Sequence, residues 1–405
     1  MSFPLPELRL TGAEILRDDV IARDEVTVAN GRFADAGGAP VDLSGYLVLP
    51  GIIDLHGDAF ERHVAPRMTA PFSIKTGLIG TDRDCAVCGV TTAWIAQSWS
   101  WEGGPRGPEY AIALMEALKA YRARAATDLR IQIRCETHTM DDETRLIQAV
   151  RRYGIDYVVY NNHLVELDNL ELEDFAFWGK KAGRSGQEHR DLMRNMVERS
   201  HEVPAYLERL AAEFARIGAT TGSHDDDSAE MRARFRALNA PISEFPTGFE
   251  AAQAARDHGE PILMGAPNVA RGGSQSGNIS AMDLVKADLC DALVSDYFYT
   301  ALADAAFLIA DEGVRDLAQA WRMISTTPAE ILGLRDRGRI ETGLRADLTV
   351  LDAQTRTVAG TMAGGRFTHL SGDLAGRFIA SAAVALVPVQ EQAKSGAVEG
   401  PLHPV

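Results

Sequence analysis

The sequence predicts an α/β fold, a distorted (β/α)8 TIM-like barrel with a small composite β-domain built from both termini. Three observations predict it. Short β-rich runs alternate with helical stretches through the middle of the chain, as such a barrel requires. β-like runs divided by turns recur near both ends. Polar residues of metal-ligating type gather where the apolar runs of the middle stop. The expected division is residues 1–48 plus 338–405 for the β-domain and 49–337 for the barrel.

At the amino-terminal end, Leu8-Arg9-Leu10, Glu25-Val26-Thr27-Val28 and Tyr46-Leu47-Val48-Leu49 read as short strands, and Asn30-Gly31 signals a hairpin. The carboxy-terminal end answers with Ala346–Leu351, Arg356–Ala359 and Arg366–His369. The last 20 or so residues read as an extended or frayed tail. Eight barrel strands are expected at Gly51–Leu55, Val90–Ile95, Leu129–Cys135, Asp156–Tyr160, Ala219–Ser223, Pro241–Phe245, Pro261–Met264 and Asp291–Ser295. Helices are expected at Pro108–Ala125, Asp141–Tyr153, Val203–Ile217, Gly248–His258 and Ser280–Asp288. The segment Glu166–Ser200 is longer and more polar than a barrel connection needs, which suggests a lid over the mouth. Thr327, Pro328 and Glu330 fit an N-cap, an N1 proline and a capping-box carboxylate.

Composition narrows the function. A chain of 405 residues can hold one barrel and a satellite domain, and its 46% hydrophobic and 24% charged content is that of a globular protein. It has no apolar run of membrane-spanning length, and its first residues lack signal-peptide character, so a cytosolic protein is expected. Four cysteines make no disulfide framework in a chain this long. Cys85-Ala86-Val87-Cys88 lies in an expected helix and reads as core rather than redox or zinc chemistry. A net charge of −16 argues against nucleic acid but permits an anionic small molecule, because a local pocket can reverse the field.

The chemistry sits at the strand ends. His56 and Asp58 are two residues apart, so on a strand both side chains leave the same face and enter the barrel mouth. The third strand ends at Glu136, the fourth at His163, the fifth at His224 and the eighth at Asp296. Imidazole and carboxylate ligands without thiolates suit one or two divalent cations: zinc, manganese or iron. Glu136 is the expected bridge between two ions, with His138 as its rival, and Asn161 or Asn162 can cap the fourth strand in place of His163. Asp296 is expected to bind metal and to handle the proton of the nucleophile. Asp225 can orient a ligand or stand in a solvated acidic loop. Glu61, Arg62, His63 and Arg67 read as substrate contacts. So does the glycine-rich stretch holding Arg271, Gly272, Gly273 and Ser274, which is expected to aim N–H groups of a helix start at an anion.

The run Pro50–His56, Gly89-Val90-Thr91-Thr92, Thr327–Gly333 and Gly338–Leu348 resemble the amidohydrolase superfamily. The resemblance implies a metal-dependent hydrolase and suggests a homodimer. Asp54–Asp58, Glu61–His63 with Pro66-Arg67, Arg134–Glu136, Ser223–Asp226, Glu244–Thr247, Met264–Asn268, Arg271–Ser274 and Ser295–Tyr297 are similar to its diphosphatase subgroup. That subgroup acts on ribose methylphosphonate triphosphates in the carbon–phosphorus lyase pathway. It implies phosphoanhydride cleavage by metal-activated hydroxide, with release of diphosphate. The chain departs from the subgroup at Gln275, Leu164–Asp168 and Phe298, where substrate loops are expected. Those departures keep open a deaminase or amidase acting on a cyclic amide or amidine carbon. A non-catalytic scaffold would have lost the ligands, and this chain keeps them.

Overall fold

The computed structural model describes residues 7–67, 70–164 and 171–385. Eight parallel strands follow one another around a barrel: Ile52–Gly57, Val90–Trp99, Asp128–Glu136, Tyr157–Asn161, Thr220–His224, Ile242–Glu244, Ile262–Gly265 and Ala292–Val294. Each pairs with its sequence neighbour, and a bridge between Gly57 and Asp296 closes the ring. The closure brings the ends of the first and eighth strands side by side. Asp54 fastens that seam, accepting from Ser295 N at 2.8 Å and Ser295 Oγ at 2.6 Å.

The strands are near-continuous apolar runs because both faces are covered. Inside the barrel, Ile53, Leu55, Trp94, Tyr157, Val159, Ile242 and Leu263 pack together. Outside, the strand side chains pack against the surrounding helices, among them Pro108–Tyr121, Glu143–Tyr153 and Val203–Ile217. Cys85 and Cys88 are buried free thiols in this outer layer.

Both termini build the remaining sheets. A four-stranded sheet runs Arg32–Ala34, Val26–Ala29, Leu8–Thr11, Ala39–Asp42. A six-stranded sheet joins the two ends of the chain: Tyr46–Pro50 pairs antiparallel with Leu348–Asp352, placing Val48 opposite Val350. Asn30 and Gly31, at φ 51° and 79°, make the hairpin turn their residue types favour.

Two details differ from the sequence expectation. The helix near Thr327 spans Thr326–Ile331 with Ser325 as its N-cap and no side-chain cap. The hydroxyls there are drawn elsewhere: Ser325 Oγ donates to Trp321 O and Thr326 Oγ1 to Gly338 O, each at 2.8 Å. A helix, Gly372–Ala385, also closes the β-domain in a stretch for which no element was foreseen; Leu374 is fully buried and Phe378 meets Phe367 edge-on at 4.6 Å. The expected frayed end and most of the Leu164–Asp168 departure lie outside the described residues.

Candidate metal centre and substrate chamber

The barrel mouth collects His56, Asp58, His224 and Asp296. His56 is buried, and its Nδ1 lies 2.8 Å from Glu244 Oε2, which leaves Nε2 as the free nitrogen. Donor atoms of His56, Asp58 and Asp296 fall within 4.8 Å of one another, as do those of His56, His224 and Glu244. Burial pushes the His224 imidazole below its ordinary pKa, which favours the neutral, ligating form. Its Nδ1 is buried without an aligned hydrogen-bond partner, although Asp225 Oδ2 stands 3.0 Å away. Two imidazoles, two acidic side chains and an orphaned ring nitrogen fit a divalent cation with nitrogen and oxygen ligands.

The backbone supports this grouping. Asp225, Phe245 and Asp296, each just past a strand end, take φ of 59°, 53° and 52°. The left-handed region is uncommon for residues with a side chain and costs most at bulky Phe245. In that conformation the Phe245 ring packs 5.0 Å from His56 and 4.9 Å from His224, centroid to centroid. Burial, and then the charge of Asp58, push the Asp296 carboxyl up to about 6.

Glu244 carries a role not assigned to it from sequence. It is wholly buried and accepts from Gln132 Nε2 at 2.7 Å and Tyr157 Oη at 2.5 Å while holding His56. Burial works against its charge, but His56 and the other donors keep it below the usual carboxylate range. An ionised Glu244 fixes the ring orientation and tautomer of His56. The strand-end pattern that singled out His224 and Asp296 also fits Glu244, which ends the sixth strand.

Glu136 and His163 form a separate group with Glu102. Glu136 lies 2.5 Å from His163 Nδ1, and accepts from Asn161 Nδ2 at 2.7 Å and from His163 N at 3.0 Å. Its oxygens are thus turned to the fourth strand, not to His56 or Asp58, and the expected bridge between two ions is not formed by this arrangement. Its rival His138 points away, to Thr137 and to Ser200, with Nε2 3.0 Å from Ser200 Oγ.

The cavity over the first group has a volume of about 270 Å³ and is lined by Arg106, Arg134, Arg271, Asn268, Gly273 and Ser274 among others. Arg134 lies 3.7 Å from Asp58. Arg271 donates to Tyr297 Oη at 3.2 Å. Three expected contacts are placed elsewhere. His63 turns back to Asp84, 3.1 Å away, on the helix Ile74–Val87. Arg67 is exposed, outside the cavity wall. Gly272 ends the short helix Ala266–Arg271 at φ 78°.

The helix-start anion cradle is also corrected. The next helix, Ala281–Lys286, has its first N–H groups occupied, Ala281 N by Asn268 Oδ1 at 2.9 Å and Asp283 N by Ser280 Oγ at 3.4 Å. The glycine-rich loop lines the cavity with its own chain instead. Beside the cavity opens a second lobe of about 540 Å³, which contains Glu61 and shares Asp58, Arg106 and Tyr297 with the first. The helix Leu172–Gly179 and the turn after it line this lobe with Trp178 and Lys181.

Residues 291–369 match the model of an amidohydrolase family. The alpha-D-ribose 1-methylphosphonate 5-triphosphate diphosphatase of Escherichia coli strain K12 is 32% identical over 319 residues, covering 76% of this chain and 84% of that protein. An adenine deaminase of Methylobacterium nodulans is 27% identical over 89% of this chain, which spans 56% of that protein's length. The N-acetylglucosamine-6-phosphate deacetylase structure from Pasteurella multocida superposes with a TM-score of 0.60 at 12% identity, covering 90% of this chain and all of that one, a likeness of fold. Among the described residues no helix is long and apolar enough to cross a membrane. The chain therefore belongs to the amidohydrolase superfamily of hydrolytic enzymes, in the subgroup of the ribose 1-methylphosphonate 5-triphosphate diphosphatases.

Proposed function

We propose that this hydrolase cleaves a phosphoanhydride in a ribose-based triphosphate and releases diphosphate. The observation that carries the reading is the meeting of Arg106, Arg134 and Arg271 on the cavity that holds the ligand residues, in a chain whose net charge is −16. These arginines offset Asp58, Asp225 and Asp296 on the same wall, so that a bound divalent cation would leave the pocket locally positive and suited to a polyanion. The activity for which the Escherichia coli relative is named supports the same substrate class.

His56, Asp58, His224 and Asp296 would hold the cation, with Glu136 and His163 as a further polar group at the same rim. A divalent cation, zinc first, supplies Lewis acidity and a water ionised near neutral pH. The other work belongs to the chain. Arg134 and Arg271 orient phosphate oxygens by charge-assisted hydrogen bonds. Glu244 keeps His56 in register. Asp296, at the strand end closest to Asp58, takes the proton of the attacking water. A cytoplasmic role in phosphonate metabolism follows from the same reading. The test is a triphosphate panel given to metal-loaded protein: diphosphate release is expected, and its absence from every member would end the proposal.

The deaminase similarity favours a second reading, in which the same centre attacks an amidine carbon. Ammonia release separates the two, because phosphoanhydride hydrolysis produces none.

A further inference from the structure

We infer that Lys181, with Arg106 beside it, reads a second anionic group on the substrate: a phosphonate or phosphate carried by the sugar at the end away from its triphosphate. The inference rests on the diphosphatase reading and assigns a specificity-determining residue that reading leaves open.

The cleft at the barrel mouth has two compartments, the metal cavity of about 270 Å³ and the lobe of about 540 Å³. Asp58, Arg106 and Tyr297 belong to both walls, so the two are continuous. Each compartment carries basic side chains of its own. Arg134 and Arg271 line the cavity alone, Arg62 and Lys181 line the lobe alone, and Arg106 stands at the neck between them. A sugar triphosphate whose phosphates lie on Arg134 and Arg271 therefore extends its sugar past Arg106 toward Lys181.

Most charges of the lobe are already matched. Arg62 lies 3.3 Å from Asp84 and 5.5 Å over the Phe298 ring. Arg106 Nη1 is 3.1 Å from both carboxylate oxygens of Glu102, which also accepts from Ser100 Oγ at 3.1 Å. Asp58 belongs to the ligand group. Among the described residues, Glu61 and Lys181 are the charged side chains of this wall without an ion-pair partner. Burial, and then Asp58, push the Glu61 carboxyl above its ordinary value, while Arg106, Arg134 and Lys181 pull it down. A carboxylate there suits the hydroxyls of a sugar, and an ammonium on a flexible stem suits a compact tetrahedral anion.

The place of Lys181 is built by the backbone. Its turn, Lys180–Ala182, is seated on the loop Gly104–Arg106. Gly104, at φ 57°, leaves no room for a side chain, since an added Cβ would come 2.5 Å from Lys181 O. Arg184, three residues on, donates to Glu102 O. The loop that presents Arg106 and the turn that presents Lys181 are thereby held together, although they lie far apart in sequence. An anion entering the lobe meets both.

The test uses the full metal-loaded chain and two substrates: ribose 5-triphosphate carrying a methylphosphonate at C1, and the methyl riboside 5-triphosphate, which lacks the second anion. The corresponding 5-monophosphates serve as ligands. The expected result is a kcat/KM about tenfold or more higher for the substrate with two anionic ends, carried by KM, and correspondingly tighter binding of its 5-monophosphate. Lys181→Gln should bring both ratios toward unity and Lys181→Arg should keep most of each. Lys180→Gln, one residue earlier and also exposed, leaves them unchanged. Lys181 is exposed, so its variants keep the fold. No preference in the parent, or a Lys181→Gln variant that leaves the ratio intact or lowers both substrates alike, would overturn the inference and leave the diphosphatase reading standing. If neither triphosphate yields diphosphate, that reading falls and the ligand pair decides alone. Tighter binding of the doubly anionic monophosphate, lost in Lys181→Gln, then sustains the subsite, and equal binding ends it.

Discussion

At the scale of single residues, the site depends on side chains that are held before any ligand arrives. Glu244 touches His56 from behind, and its negative charge survives burial only because His56, Gln132 and Tyr157 surround it. Glu244→Gln keeps the shape and removes the charge. Metal affinity should fall about 10- to 100-fold, as for other partners of ligating histidines, measured by competition with a chromogenic chelator. Arg271 has a different part, since it lines the cavity and meets Tyr297 without touching the ligand residues. Arg271→Ala should raise KM for a triphosphate about tenfold or more while metal content stays unchanged.

At the scale of elements, the strand ends are positioned by a buried ion pair. Arg232, wholly buried on the helix Ala229–Ala237, lies 3.0 Å from Asp226 Oδ2 and 3.1 Å from Glu260, and donates to the backbone carbonyl of Ala240. Asp226 Oδ2 also accepts from Ser223 Oγ at 2.6 Å and Ser243 Oγ at 3.0 Å, which ties the fifth and sixth strands together beside His224 and Glu244. Arg232→Met strands a buried carboxylate and should cost about 3–5 kcal/mol in urea unfolding. The β-domain carries a pH-dependent element of its own. Burial pushes Asp347 up to about 6, opposed by Arg345 and by the Gly364 N–H. A carboxyl whose folded pKa exceeds its unfolded value favours the folded state most when protonated. Stability from this group therefore falls as pH rises from about 4 to about 6 and is level above, by up to about 3 kcal/mol. Asp347→Asn should abolish that fall, read as the difference between the two stability–pH curves.

At the scale of the whole molecule, the barrel was legible because parallel strands buried on both faces are short apolar runs with polar residues at one end. Seven of the eight runs fall within a residue or two of the strands observed, and the second stops at Ile95 where its strand continues to Trp99. The composite β-domain was legible for a different reason, since β-like runs divided by turns recur at both ends of the chain. What was not legible is direction. Nothing in the spacing of His63 says that it turns to Asp84, or that Glu136 faces His163 instead of a shared ion, because both depend on rotamers set by tertiary neighbours. Arg106 escaped notice because it lies on a loop after the second strand, and only closure of the barrel brings it to Arg134 and Arg271. Helix Gly372–Ala385 was missed because its buried Leu374 is legible as core only once the sheet beneath it exists.

The account requires that residues separated by almost the whole barrel sequence converge on one cation. Elemental analysis of protein purified without chelators, beside the His224→Ala and Asp296→Ala variants, tests this most directly. The expected result is at least one equivalent of a transition-series divalent metal per chain in the parent and substantially less in each variant, with both variants still folded by circular dichroism. A parent that carries no stoichiometric metal and acquires none on dialysis against zinc or manganese would contradict it.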